Sequence, residues 1–487
     1  MMKIEAKRRT TTAAGALAVL LAAGAAVAQT TIRVPADAAT IQAAIDLAVD
    51  GDTVLVAAGS YNEALLVGEL AVTLRSEDGA GATTLNGSGL DAPILTTVGT
   101  LTVEGFTFTG AGFGGAIDAD GGSLVVIDSA FVANTNRGID ALATDVTVRG
   151  GSFTDNLAAN GGAGVYVLGG SLTIDGTSFR GNLGRGLGGA IAVRSATLDA
   201  RGLDMIDNGD GEIRDSGGAA SVPPRVFGTF GGGAIYTSNV NGRIDSARII
   251  ASKAAFGGGL YIAAGGTLEV VNTLIADSLT GTGAIYTNAS APIIANSTIV
   301  DNEDWGLFAQ RESRPIVRNS VFSGNEVYPR SIEIGGPGIA DVAFSIVDGT
   351  ASATIGDGVV FADPRLDDAF APLPGSPTID AGDNAGVPGG ITADLLGGVR
   401  FFDDPDTPDT GAGTAPIVDL GAIEFGGGQA GPCRADFDGD GELTIFDFLG
   451  FQGAFDLGDL AADFDADGRL TVFDFLAFQT AFAVGCP

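Results

Sequence analysis

The sequence predicts an all-β protein, a single-stranded right-handed parallel β-helix, followed by a small α-helical module. Three observations predict it. A short pattern returns every 22 to 26 residues from about Phe108 to Asn325: Gly-Gly-Ala-Ile or a variant, an alternating apolar run, then a large apolar residue three places before Asn. Composition is turn-dense, with 77 Gly and only three Met in 487 residues. Near the end, an Asp-rich stretch of 20 residues occurs twice, 27 residues apart, with 15 places identical.

The Asn of the pattern falls at Asn134, Asn156, Asn182, Asn208, Asn302 and Asn325, with Ser252 and Ser278 in the two remaining places. Ahead of it stand Phe131, Phe153, Phe179, Met205, Ile249, Ile275, Ile299 and Phe322. A period of this length means stacked units that cannot bury their faces alone. Each unit holds short Val-, Ile-, Thr- and Phe-rich runs separated by Gly, Asn and Asp, so the units are strands joined by tight turns. Parallel strands one coil apart lie about 4.8 Å from each other, so like stacks on like. The Asn column then forms a ladder of amides at one bend, over about a dozen coils from Val54 to roughly Phe361.

The chain opens with a secretory signal over residues 1–28: basic Lys3, Lys7, Arg8 and Arg9, apolar Ala13 to Ala25, and an Ala26-Val27-Ala28 cleavage site. Its apolar run is short and Ala-rich, which favours cleavage over a membrane anchor. The mature chain carries 21 Lys+Arg against 58 Asp+Glu, a net charge of −37. Such a surface repels nucleic acid and anionic lipid and attracts divalent cations. There is no His, which excludes Ser-His triads, His-ligated zinc and a His base.

Apolar Ile41, Ala44, Ile45 and Ala48 share one face of a helix expected from Thr40 to Val49, stopped by Gly51; it covers the open end of the β-helix. The stretch "TIQAAIDLAVDGDTVLVAAGSYNE" resembles the usual opening of pectin-lyase-like β-helix proteins. That resemblance implies the fold and leaves the chemistry open.

In the body, one spacing of 44 residues between Asn208 and Ser252 marks an insertion near 209–231 that carries Asp210, Glu212, Arg214, Asp215 and Arg225. Arg149, Asp175, Arg201 and Asp245 each precede a ladder position by seven residues, so they form one column of alternating charge. Two readings stand side by side. In one, the column and insertion make a polysaccharide cleft in which acids hold Ca²⁺ and an Arg acts as base, with Arg201, Asp207 and Arg214 as the catalytic candidates. In the other, they are an exposed ionic ladder and a bare insertion, each pair contributing at most about 1 kcal/mol. No Gln and Asp motifs of pectin esterases are found, and Lys253, beside a ladder position at a turn, is expected to be exposed.

Residues 361–425 contain "FADPRL", "GSPTIDAGD", "ADLLGGVR" and "VDLGAIEF", which resemble the closing segment of many secreted bacterial β-helix proteins. Their Gly, Pro and Asp content predicts a lid of turns over the last rung. A Gly-rich linker, 426–432, leads to the final module, 433–487.

In that module carboxylates stand at loop positions 1, 3, 5 and 12: Asp436, Asp438, Asp440 and Asp447, then Asp463, Asp465, Asp467 and Asp474. Gly441 and Gly468 occupy the sharp-turn position, and Glu442 and Arg469 offer their backbone carbonyls. Six to eight hard oxygens wrapped around one point suit Ca²⁺, so two sites are expected. Phe448, Leu449, Phe451 and Phe455, and their counterparts 27 residues on, form an apolar helical face. Cys433 and Cys486 bracket the pair, and a disulfide between them would clasp its ends. Asp at position 12 and the absence of an entering helix resemble dockerin repeats, and the Gly-Cys finish resembles GC-type dockerin-like tails of exported bacterial proteins. The resemblance implies a cohesin-like or other cell-surface partner. Ile445, Phe446, Val472 and Phe473 stand where dockerins carry small partner-selecting hydroxyl residues; either they pack between the two repeats, or they are exposed and form an apolar patch for a partner different from the usual cohesins.

Two function classes follow: an extracellular, surface-attached β-helix that is carbohydrate-facing or structural, or a pectate-lyase-like enzyme on acidic polysaccharides with the same tether.

Overall fold

A computed structural model describes residues 29–209, 230–325, 332–334, 339–347 and 353–427, and, in the C-terminal module, 435, 437, 443–457, 462, 464, 474–475, 478–479 and 482. The chain is a right-handed parallel β-helix with few helices. A typical coil contributes three strands, such as Ile117–Asp120, Ser123–Ile127 and Ala130–Val132. Each pairs in parallel with its counterpart one coil on; Phe131 faces Phe153 and Ile117 faces Ile139. In two coils the first and second strands fuse into 11-residue strands, Ile139–Arg149 and Val165–Asp175.

The core is a set of columns. Phe108, Phe131, Phe153 and Phe179 stack with centroids 4.8, 4.5 and 4.8 Å apart and rings within 5° of parallel. The spacing of parallel strands is the stacking distance of aromatic rings, so one residue type repeated in register packs on itself.

At the next bend the amides form the expected ladder. Asn134 Nδ2 donates to Asn156 Oδ1 at 2.8 Å, Asn156 to Asn182 at 2.9 Å, Asn182 to Asn208 at 3.0 Å, and Asn302 to Asn325 at 2.8 Å. Each Nδ2 also donates to a third-strand carbonyl of the preceding coil, as Asn156 does to Phe131 O. The residue just before the ladder is left-handed in coil after coil: Ala133, Asp155, Gly181, Asp207, Ala251, Asp277, Asp301 and Gly324 have φ between 52° and 67°. That conformation turns the chain sharply enough to aim the amide inward. Ser252 and Ser278 continue the column, but their hydroxyls are buried without a partner.

The insertion leaves the coil at Gly209, which bridges to Lys253, and the described chain resumes at Phe230, whose amide donates to Gly186 O. Leaving out the 20 residues 210–229 returns the spacing of 44 to an ordinary coil of 24. The N-terminal helix spans Ile41–Leu47, with Thr40 capping the Ala43 amide; it ends before Val49 because Ala48 is already extended. Ile41, Ala44 and Ile45 are buried against the first strands.

The segment 361–427 departs from expectation. It is a strap along the side of the last coils and not a lid over the final rung. Ala381 and Leu420 pack on Leu274, Ala276, Val300 and Val321, the outward residues of third-sheet strands. Thr298 Oγ1 accepts from the Ala422 amide, and Asn319 exchanges hydrogen bonds with the backbone of Asp383. The physical reason is in the body: the outward third-strand residues are polar early (Ser152, Thr154, Ser178, Arg180) and apolar late, and an apolar row needs cover.

In the C-terminal module a helix spans Ile445–Leu457. Phe451 and Phe478, equivalent positions of the two repeats, stack at 4.1 Å and 5° within a cluster that includes Phe437, Phe448, Phe464 and Phe475. Leu449, expected on this apolar face, is 53% exposed; Phe448, Phe451 and Phe455 make the face without it.

Candidate functional site

The second sheet positions the charged column. Register pairs Arg149 with Asp175, Asp175 with Arg201, and Arg201 with Asp245, one coil apart. Odd positions of these strands face solvent because the even ones fill the core. Next to Arg201 lies a groove of about 440 Å³ lined by Asp199, Arg201, Arg243, Thr267 and Glu269 among others. Its two guanidinium groups are both engaged. Arg201 Nε meets Asp199 Oδ1 at 3.0 Å, on its own strand, and Arg243 meets Glu269 at 2.6 Å on the next coil. Arg243 also donates to Gly389 O of the strap, which thereby borders the groove.

Hydrogen bonding and charge from Asp199 raise the Arg201 pKa, with Asp245 and Asp175 adding to it. A proton held more tightly is the reverse of what a general base requires.

Asp207 sits at the other end of the short strand Asp204–Ile206, in the left-handed position before the ladder, and is ion-paired with Lys253. Lys253 is thus partnered. Arg201 and Asp207 therefore occupy two different corners of the coil with separate partners. Arg214 lies outside the described residues. Asp204 receives Arg180 at 2.6 Å and Arg248 at 3.0 Å, a three-coil ionic ladder on the third sheet that the sequence did not single out.

Two further features were missed. On the outer face of the first sheet, Tyr236, Tyr261 and Tyr286 form a column, buried under Leu187, Phe256 and Phe308. The signal was present: the residue after the first inward apolar position of the coil reads Asp118, Asp140, Tyr166, Ala192, Tyr236, Tyr261, Tyr286 and Phe308, polar early and aromatic late. The strap, in turn, buries charge. Arg400 and Glu424 pair at 3.4 Å with both side chains fully buried, and Arg400 donates twice to Gly421 O, at 3.0 and 2.8 Å. Asp394, Asp419 and Glu424 accept backbone amides around it. Burial pushes the Asp419 carboxyl up to about 7 and that of Glu424 well above the usual range, against the pull of Arg400.

Of the expected calcium ligands, Asp447 and Asp474 are described, and both are fully buried. Asp447 accepts from the Thr444 amide and Asp474 from the Phe464 amide, each at 2.7 Å. Buried carboxylates at both loop-closing positions, related by the Phe451–Phe478 stack, suit a hard divalent cation. Asp436, Asp438, Asp440, Glu442, Asp463, Asp465, Asp467, Arg469, Val472, Phe473, Cys433 and Cys486 lie outside the described residues, as do the side chains of Ile445 and Phe446.

Residues 224–356 match the family described as "Right handed beta helix region". No curated protein matches the chain by sequence. Among solved structures it is similar to the catalytic unit of a GH87 α-1,3-glucanase from Streptomyces thermodiastaticus (15% identity, 73% of each chain, TM-score 0.40). It is also similar to the pectate lyase Pel9A (15%, 78% of this chain and 90% of that one, 0.34) and to an alginate lyase from Paenibacillus sp. strain FPU-7 (14%, 63% and 98%, 0.32).

Proposed function

We propose that the protein is an exported, non-catalytic β-helix that offers the second-sheet groove to carbohydrate and is held at the cell surface by a calcium-dependent C-terminal module. The observation that carries the non-catalytic reading is the pairing of Arg201 with Asp199 and of Arg243 with Glu269. A lyase on acidic polysaccharides needs a cationic group free to meet the uronate carboxylate and a base able to accept a proton. Both guanidinium groups over this groove are already neutralised, and Arg201 is held more firmly protonated. Paired ions, Thr267 and an acidic surround suit hydroxyl-rich, uncharged glycans better than polyanions.

Export rests on the leader, and no helix among the described residues is long and apolar enough to cross a membrane. Attachment rests on the duplicated loops, in which Asp436, Asp438, Asp440, Asp447 and their counterparts would hold two Ca²⁺ ions and order the tail. A cohesin-like or other surface protein meeting Ile445, Phe446, Val472 and Phe473 is the partner this reading implies.

The test incubates the intact protein with insoluble neutral polysaccharides and with pectate and alginate, with and without Ca²⁺. Retention on a neutral glycan, reduced by Arg243→Ala, with no unsaturated uronate product from the polyanions, is expected. Ultraviolet-absorbing unsaturated product that disappears in Arg201→Gln would instead establish the lyase.

A further inference from the structure

We propose that Asp380, Asp403 and Asp409 form a divalent-cation site, of the calcium type, that ties the acidic 401–410 loop onto the strap. A carboxylate oxygen from each of the three lies within 4.8 Å of the other two. Asp403 and Asp409 are exposed, whereas Asp380 is fully buried. Neither carboxylate oxygen of Asp380 has a hydrogen-bond partner. The Asp404 amide faces it without reaching hydrogen-bond geometry. An ionised carboxylate withdrawn from water and left unpaired is costly, and a native protein tolerates it where something outside the chain completes it.

The surrounding chain holds this arrangement in place. Asp380 is left-handed, with φ of 51°. Its amide donates to Asp419 Oδ1 at 2.7 Å, and its carbonyl accepts from Thr410 and Gly411 at 2.9 and 3.0 Å. Those two bonds bring the neighbouring Asp409 to the cluster. Asp404 is used differently: its carboxylate accepts from the Asp406 amide and the Thr407 hydroxyl and shapes the turn. Asp403 and Asp409 remain to face Asp380.

Nothing in the loop supplies positive charge. Residues 401–420 contain no Lys, Arg or His, and Arg400 is turned to Gly421 O and Glu424. Burial, reinforced by the charges of Asp403, Asp409 and Asp404, pushes the Asp380 carboxyl up to about 6 despite the Asp404 amide. A bound dication reverses that balance.

The donor set decides the metal class. All three groups are carboxylates, with no imidazole or thiolate, so zinc and copper chemistry is disfavoured. Two ligands lie on an exposed, irregular loop that leaves room for water. Ca²⁺ tolerates six to eight oxygens in irregular geometry, whereas Mg²⁺ demands a near-ideal octahedron.

The experiment uses the full chain with the tail loops disabled by Asp440→Ala and Asp467→Ala, so that only the strap is read. Calorimetric titration with Ca²⁺ should show one remaining site per chain. Adding Asp403→Asn and Asp409→Asn, both surface positions, should abolish it while the β-helix circular dichroism persists. Thermal unfolding of Asp380→Asn gives an independent reading: this change should raise the midpoint in chelator, by removing an unpaired buried charge, and lower it in Ca²⁺. Absence of residual binding, residual binding that survives the double change, or an Asp380→Asn midpoint raised equally in both conditions would each overturn the site.

Discussion

In the body, Asn156 and Asn182 bury neutral amides, each accepting from the coil before and donating to the coil after. In the strap, Arg400, Asp394, Asp419 and Glu424 bury ionisable groups, and no neighbouring copy of any of them exists. The difference follows from repetition. A repeated amide meets its own complement one coil away, because Asn carries both donor and acceptor. A segment that occurs once must close its backbone amides and carbonyls with side chains of opposite kind, and ionised groups make the strongest such bonds. The body therefore spreads its polar stabilisation over many equal contacts, and the strap concentrates its own in a few.

That contrast breaks most visibly at Arg400. Arg400→Met keeps much of the volume but leaves Glu424 and Asp419 buried without their cation and Gly421 O without its two donors. Removing one partner of a buried pair costs about 3–5 kcal/mol. Denaturant unfolding should show a loss of that size, with the strap protected least in hydrogen exchange. Equal protection in both regions would mean that the ion pair is not what secures the strap.

The body should respond less. Asn182→Ala removes the acceptor of the Asn156 side chain and amide and the donor to Phe153 O and Asn208. Asn156 Nδ2 keeps Phe131 O and Asn208 Oδ1 keeps the Asn182 backbone amide, so the main cost is the Asn156 backbone amide left without its acceptor, about 1–3 kcal/mol for one buried group. A loss of roughly 2 kcal/mol is expected, and Asn182→Ser should recover part of it because the column already carries Ser252 and Ser278. If Asn182→Ala cost as much as Arg400→Met, the ladder would be concentrating stability as the strap does.

The same contrast explains what could be read from the sequence. Everything tied to the period was legible: the Phe and Asn columns, the neighbours in the Arg149–Asp175–Arg201–Asp245 row, and the site of the insertion. Arg201's actual partner, Asp199, was not, because two residues on one face of the same strand compete with the next coil and only geometry decides between them. The strap was recognised by its motifs but misplaced. The change of outward third-strand residues from Ser152 and Ser178 to Leu274 and Val300 carried the clue to where it lies. The roles of Arg400, Asp419 and Glu424 have no periodic signal; they depend on contacts between stretches 20 or more residues apart.

The smallest effect belongs to a place where the body itself stacks charge. Asp118 and Asp140 are adjacent across coils on the first sheet, and Asp140 is ion-paired with Arg137. Burial, then Asp140 and Asp120, raise the Asp118 pKa above its ordinary 3.8. The sign follows from linkage. Below 3.8 both folded and unfolded chains hold the proton and the site costs nothing. As pH rises from there through the raised folded value, the unfolded chain releases the proton first, so stability falls and stays lower at neutral pH. Asp118→Asn should therefore raise the unfolding midpoint at neutral pH, by roughly the 0.2–1 kcal/mol of a cross-strand charge pair, and leave it unchanged in acid. A gain that is the same at both ends of the pH range would assign the effect to packing, and the body would then carry no charge strain of the kind the strap conceals.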